Sequence, residues 1–159
     1  MKRITALLLA LVLCLALCAC GESKDISVYD LQKSMLSADA KLPEMLTASS
    51  SDSDGEKKFA YLSDVNYSKV DGFFLAYASD GMAYEIAVIC LKNKADVPAA
   101  EASLREHLDG RINLYETYEP KQVQRAENAL IVSRDRCVAL IMCDDTNAVK
   151  AAFEDYLKN

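Results

Sequence analysis

The 159-residue chain contains no tryptophan, one histidine, three prolines and five glycines. Each scarcity removes a class of chemistry. Hydrolysis by a Ser-His-acid or Cys-His set needs a histidine base, and only His107 could supply it. His107 stands beside Leu108 at the edge of an apolar helical stripe, where it reads as a surface or boundary residue. The Gly-x-Ser-x-Gly elbow of serine hydrolases is missing. Five scattered glycines build no phosphate-cradling loop, which argues against nucleotide chemistry. Neither Cys-x-x-Cys nor a Cys/His spacing suggests zinc. The acidic segment Asp52 to Glu56 has too few fixed ligands for a calcium site. The sequence therefore points to no catalytic residue, no metal and no cofactor.

Positive charge is also in short supply, with 18 basic against 24 acidic residues and a formal net charge of −6. A domain this acidic is not drawn to nucleic acid or to anionic headgroups.

Long hydrophobic runs are limited to one, and it carries the strongest signal in the chain. Met1-Lys2-Arg3 is a basic start, and Ile4 to Ala19 follows as 16 residues without a charge. That run is shorter than the roughly 20 residues a membrane-spanning helix needs. A basic start, a short apolar run and a small-residue exit describe an export signal. The exit, Leu17-Cys18-Ala19-Cys20-Gly21, resembles the bacterial lipobox, with cleavage between Ala19 and Cys20 and acyl chains placed on the Cys20 thiol. Cys18 is a poorer acceptor because bulky Leu17 precedes it. The expected organisation is a lipoprotein signal peptide over 1–19, a lipidated tether over 20–26 and one domain over 27–159. Cleavage takes the 18 basic residues to 16 against 24 acids, a formal charge of −8 on the mature chain. The expected location is the extracytoplasmic face of the cell membrane, with the lipid on Cys20 making the membrane contact.

Of the remaining cysteines, Cys90, Cys137 and Cys143 belong to the mature chain. An odd number spread through apolar runs reads as buried thiols more readily than as a disulfide framework. Export leaves room for one pair to bridge neighbouring strands.

Along the mature chain, Ser27-Val28-Tyr29-Asp30 fits a capping box, and Val28, Leu31, Met35 and Leu36 form one helical stripe. Ser49 to Gly55 is a polar, exposed loop, and Phe59 to Leu62 a helical turn. Phe73 to Tyr77 is a strand with Gly72 at a bulge, and Asp80-Gly81 suits a tight hairpin turn. Tyr84 to Leu91 is apolar on both alternations except at Glu85, the pattern of a central strand covered on both faces. Val97, Ala100, Leu104, Leu108, Ile112 and Tyr115 recur at helical steps, predicting a long helix over Val97 to Tyr118. Gly110 within it suggests a close approach to the sheet, and Pro120 should end it. Ala129 to Val132 and Cys137 to Cys143 read as a second hairpin turning near Arg134-Asp135. Asp144 or Asp145 then caps a final helix whose stripe is Val149, Ala152, Phe153, Tyr156 and Leu157. Hairpin, helix, hairpin, helix is an α+β order, with an antiparallel sheet of about four strands and helices packed on it. Tyr77, Tyr84, Tyr115 and Tyr118 fall in these patterns as packing residues.

The lipoprotein start, Tyr77-Ala78-Ser79-Asp80-Gly81-Met82-Ala83-Tyr84-Glu85-Ile86-Ala87-Val88, Tyr118-Glu119-Pro120, Asn128-Ala129-Leu130-Ile131-Val132 and Val138-Ala139-Leu140 together resemble the domain-of-unknown-function 4358 family. The resemblance spans roughly Phe59 to Asp145. It implies a small lipoprotein with no established activity and no agreed catalytic residues. Arg134-Asp135 departs from the family's usual glycine turn.

Three acids, Glu85, Asp144 and Asp145, are the candidates for carboxylate chemistry. Asp144 and Asp145 serve more simply as helix caps. Glu85, interrupting an apolar strand, is the one weak binding candidate, and its simpler roles are to pair with Arg105 or Arg111 or to face solvent. The leading expectation is a non-catalytic binding or interaction module whose partner is an envelope protein or a small ligand. A cell-envelope hydrolase acting through carboxylates is the alternative.

Overall fold

The computed structural model describes residues 25–158. Cys20, Ala19 and the signal segment lie outside the described residues. Helix α1 spans Val28–Ala38, strand β1 Met45–Ser49, and the short helix α2 Gly55–Phe59. Strands β2 (Val70–Ala78) and β3 (Glu85–Leu91) precede the long helix α3 (Val97–Tyr118). The short helix α4 (Val123–Glu127), strands β4 (Leu130–Arg134) and β5 (Cys137–Met142) and helix α5 (Thr146–Tyr156) complete the fold.

All neighbouring strands pair antiparallel, in the order β1-β2-β3-β5-β4. The α+β class holds, with five strands where the sequence suggested about four. The extra strand, β1, sits at the sheet edge, and its Met-Leu-Thr-Ala-Ser run buries only Ala48. With one face open and one edge free, it shows no apolar alternation that a sequence pattern could register.

Helices cover both faces. Along β3, Ala87, Ile89 and Leu91 turn to one side, where Phe73, Val138 and Leu140 meet Leu104, Leu108 and Tyr115 of α3. Ile86, Val88 and Cys90 turn to the other, where Phe74 and Ile141 meet Leu31 and Met35 of α1 and Val149 and Phe153 of α5. Every residue of β3 is buried, as expected for a central strand. Each fully buried phenylalanine of these layers contributes roughly 1.5–3 kcal/mol through lost apolar hydration.

The local signals operate as their chemistry dictates. The Ser27 hydroxyl accepts from Asp30 N (3.3 Å) and starts α1. Gly81 adopts φ +79° in the β2–β3 hairpin, whose connection from Ser79 to Tyr84 is longer than the tight turn expected at Asp80-Gly81. The pairing shifts between Val70 and Gly72, a bulge that leaves Asp71 free to take an ion pair from Arg136 in the turn of the β4–β5 hairpin. That hairpin turns on Asp135 at φ +52°, a left-handed conformation aspartate tolerates better than most residues with a Cβ. Arg134-Asp135 thus supports the turn without glycine. Asp145 caps α5 by accepting from Ala148 N (3.0 Å), whereas Asp144 does not cap. Helix α3 ends at Tyr118 and Pro120 opens a further helical turn leading into α4.

Three expectations are corrected. Gly110 makes no close approach, since a Cβ there would meet nothing within 4 Å; it lies on the exposed side of α3, away from the sheet. Tyr77 and Tyr118 are 38% and 75% exposed and are not core residues. Cys90 and Cys137 are not thiols but a disulfide between directly paired positions of β3 and β5. Two short apolar strands gave no sign of their register, and it is register that brings the two sulfurs together.

Cys143 remains a free, buried thiol. Burial, with Asp39 nearby, pushes its pKa up to about 12. The folded domain should therefore resist a thiol-reactive disulfide reagent near neutral pH, and Cys143 should react only after denaturation. Rapid reaction of the native domain would contradict this placement.

Candidate functional site

Glu85 opens β3, and its alternation places it on the α3 side of the sheet with Ala87 and Ile89. A carboxylate there, with a side chain only 4% exposed, needs partners. Helix α3 supplies them from His107, Arg111 and Tyr115, spaced four residues apart and so aligned on one helix face. His107 Nε2 lies 2.6 Å from Glu85 Oε1 and Arg111 Nε 3.4 Å from Oε2. The second contact is an ion pair without hydrogen-bond alignment, so Arg111 Nε has no hydrogen-bond acceptor. Arg111 Nη2 donates to the Tyr115 hydroxyl, which in turn donates to the Met82 carbonyl at 3.2 Å. The guanidinium also lies 5.0 Å from the Tyr115 ring centroid. Burial raises the pKa of the Tyr115 phenol, and the Arg111 charge partly offsets that. Of the two arginines named for Glu85, Arg111 is the partner. His107 is the boundary residue expected, and in addition it bonds to Glu85.

Glu85, His107 and Arg111 line a groove of about 800 Å³. Leu46, Ala48, Leu75 and Tyr77 from β1 and β2 also line it, along with Lys57, Lys58 and Tyr61 from α2 and the turn after it. Leu46, Tyr61 and Tyr77 are 46%, 71% and 38% exposed. Three of the domain's large exposed apolar side chains therefore share one groove, an arrangement that marks binding surfaces more than isolated exposure does. Asp52 and Asp54 both pair with Lys58, at 3.1 and 2.9 Å, so the acidic loop ties down α2.

The family described as Domain of unknown function (DUF4358) matches residues 44–143, well over half of the chain. The chain belongs to the DUF4358 family. The match runs from β1 through β5 and includes every residue lining the groove, while α1 and α5, which cover the opposite sheet face, fall outside it. No match was found among curated proteins or among solved structures.

The DUF4358 domain keeps the acids weighed for catalysis apart. Glu85 lines the groove, whereas Asp144 lines a separate polar pocket of about 560 Å³ with Lys121, Gln124 and Arg125. Asp144 accepts from Arg125 Nε at 2.8 Å and from the Tyr84 hydroxyl at 2.9 Å, and the Arg125 guanidinium stacks 4.0 Å from the Tyr84 ring centroid. Asp145 is engaged at the cap. Among the described residues, no group of three or more His, Cys, Asp or Glu side chains is placed to hold a metal.

The Arg125 hydrogen bond holds the Asp144 carboxyl below its ordinary value. A depressed folded-state pKa stabilises the domain above the unfolded value near 3.9 and is lost as pH falls through the folded value. The Asp144→Asn variant should therefore lose less stability than the wild type between pH 6 and about pH 3. Urea midpoints at the two pH values measure this, and equal losses would show that the pair is screened by solvent.

The sequence pointed to Glu85 through one polar residue in an apolar strand. It missed Leu46, Tyr61 and Tyr77, because aromatic and aliphatic side chains carry no sign of which ones a fold leaves uncovered. Tyr77 even alternates in phase with core residues. Only the position of α3 over β3 shows that His107, Arg111 and Tyr115 share the face that meets Glu85.

Proposed function

We propose that this protein is a lipoprotein anchored through Cys20 on the extracytoplasmic face of the membrane, and that its domain is a binding module that captures a small ligand. One observation carries the binding reading: the groove, within the ordinary size range of ligand sites, gathers exposed Leu46, Tyr61 and Tyr77 around charged side chains. Helices cover both faces of the central strands, which favours a small ligand in the groove over a protein partner on an open sheet. The Cys90–Cys137 disulfide supports an oxidising, exported location. The lipobox and the 16-residue apolar run remain the argument for the anchor.

Intact-mass analysis of the protein recovered from cells tests the anchor, since an unlipidated Cys20 at the mature N-terminus would refute it. Native mass spectrometry of the same material tests the binding. The expected result is a bound small molecule that is lost when Tyr77→Lys obstructs the groove. A ligand-free spectrum for both proteins, with a protein crosslinked to the domain in intact cells, would shift the reading to an envelope-protein partner.

A further inference from the structure

The acids of the groove are all engaged, whereas one of its bases, Lys57, is not. Asp54 is held by Lys58 at 2.9 Å, and Glu85 by His107 and Arg111. Lys57 is exposed and has no ion-pair partner among the described residues. Arg111 has Nε beside Glu85 and Nη2 on Tyr115, and its Nη1 has no hydrogen-bond partner among the described residues. The groove's unengaged polar groups are therefore cationic donors, in a chain whose formal net charge is −6. Its unengaged apolar groups are two tyrosine rings and a leucine. An acidic surface repels anions at long range, so the unpaired Lys57 ammonium, facing the same apolar groove as a free N–H of Arg111, is a feature that selects a ligand's charge.

Resting on the groove as the binding site, we propose that its ligand is a small organic carboxylate with an apolar or aromatic body. The body lies against Leu46, Tyr61 and Tyr77, and the carboxylate takes charge-assisted hydrogen bonds from Lys57 and Arg111. Lys58, already between Asp52 and Asp54, contributes little attraction. The buried Glu85 is a positioning residue that orients Arg111 from behind and touches no ligand.

The test uses the mature lipoprotein in nanodiscs, with empty nanodiscs as reference, and three shape-matched probes: 4-phenylbutyrate, 4-phenylbutyramide and 4-phenylbutylamine. Calorimetric titration should show the acid binding about tenfold or more tighter than the amide, with the amine weakest. Lys57→Glu, at an exposed position, should abolish the preference for the acid while leaving the melting temperature unchanged. Tyr77→Ser should weaken acid and amide alike. Equal affinity for acid and amide would overturn the carboxylate assignment and leave the binding reading standing. Binding of none of the three would likewise overturn the ligand class, while a groove-dependent ligand in the native mass spectrum would still uphold the module.

Discussion

Replacing both Cys90 and Cys137 with alanine should destabilise the domain by about 4 kcal/mol. The two residues are 47 apart in sequence, and the chain-entropy treatment of a cross-link closing that length gives about that value, within the usual range of about 2–5 kcal/mol. Both positions are fully buried between central strands β3 and β5, so the substitutions also remove packing from the face covered by α1 and α5. Urea unfolding of wild type and double variant measures the difference. The reduced wild type should resemble the variant, because the cross-link acts largely by restricting the unfolded chain. A loss below about 1 kcal/mol would place the stability in the sheet and helices alone.

Glu85→Ala should be the second large effect, a loss of about 2–3 kcal/mol. Removing one member of a buried ion pair typically costs about 3–5 kcal/mol, because the remaining charge stays desolvated. The estimate here is lower because Arg111 and His107 keep 26% and 17% of their side-chain surface exposed and can regain water. Glu85→Gln should fall between wild type and Glu85→Ala, since an amide oxygen still accepts from His107 while its amino group faces Arg111. The control is a double-mutant cycle with Arg111→Met. A coupling energy near zero, or an unchanged melting temperature for Glu85→Gln, would remove Glu85 from its role as a structural partner and free its carboxylate for other chemistry.

The legible parts of this domain share a cause. The stripes of α1, α3 and α5, the Ser27 cap, the Asp80-Gly81 turn and the apolar β3 are local consequences of side-chain period and backbone sterics, and each is visible within about ten to twenty residues. A cap at Asp144 or Asp145 and Glu85 as a paired acid follow from the need to satisfy polar groups at helix ends and in strands, and the structure selects Asp145. Strand β1 was not legible because an edge strand with one covered position lacks periodicity. The disulfide was not legible because pairing of Cys90 with Cys137 depends on register between strands far apart in sequence. The exposure of Tyr77 depends on how far α3 and α2 extend over β1 and β2, which no residue near Tyr77 reports.

The α+β class, the long helix and its end near Pro120, the central place of β3 and membership of the DUF4358 family all follow from residue order. Only the tertiary structure decided that His107 and Arg111 meet Glu85, that two cysteines are joined, and that Leu46, Tyr61 and Tyr77 surround one groove. Local elements form from interactions between near neighbours in the chain. A site forms where separate elements leave a gap in their packing, and the position of that gap depends on all of them together.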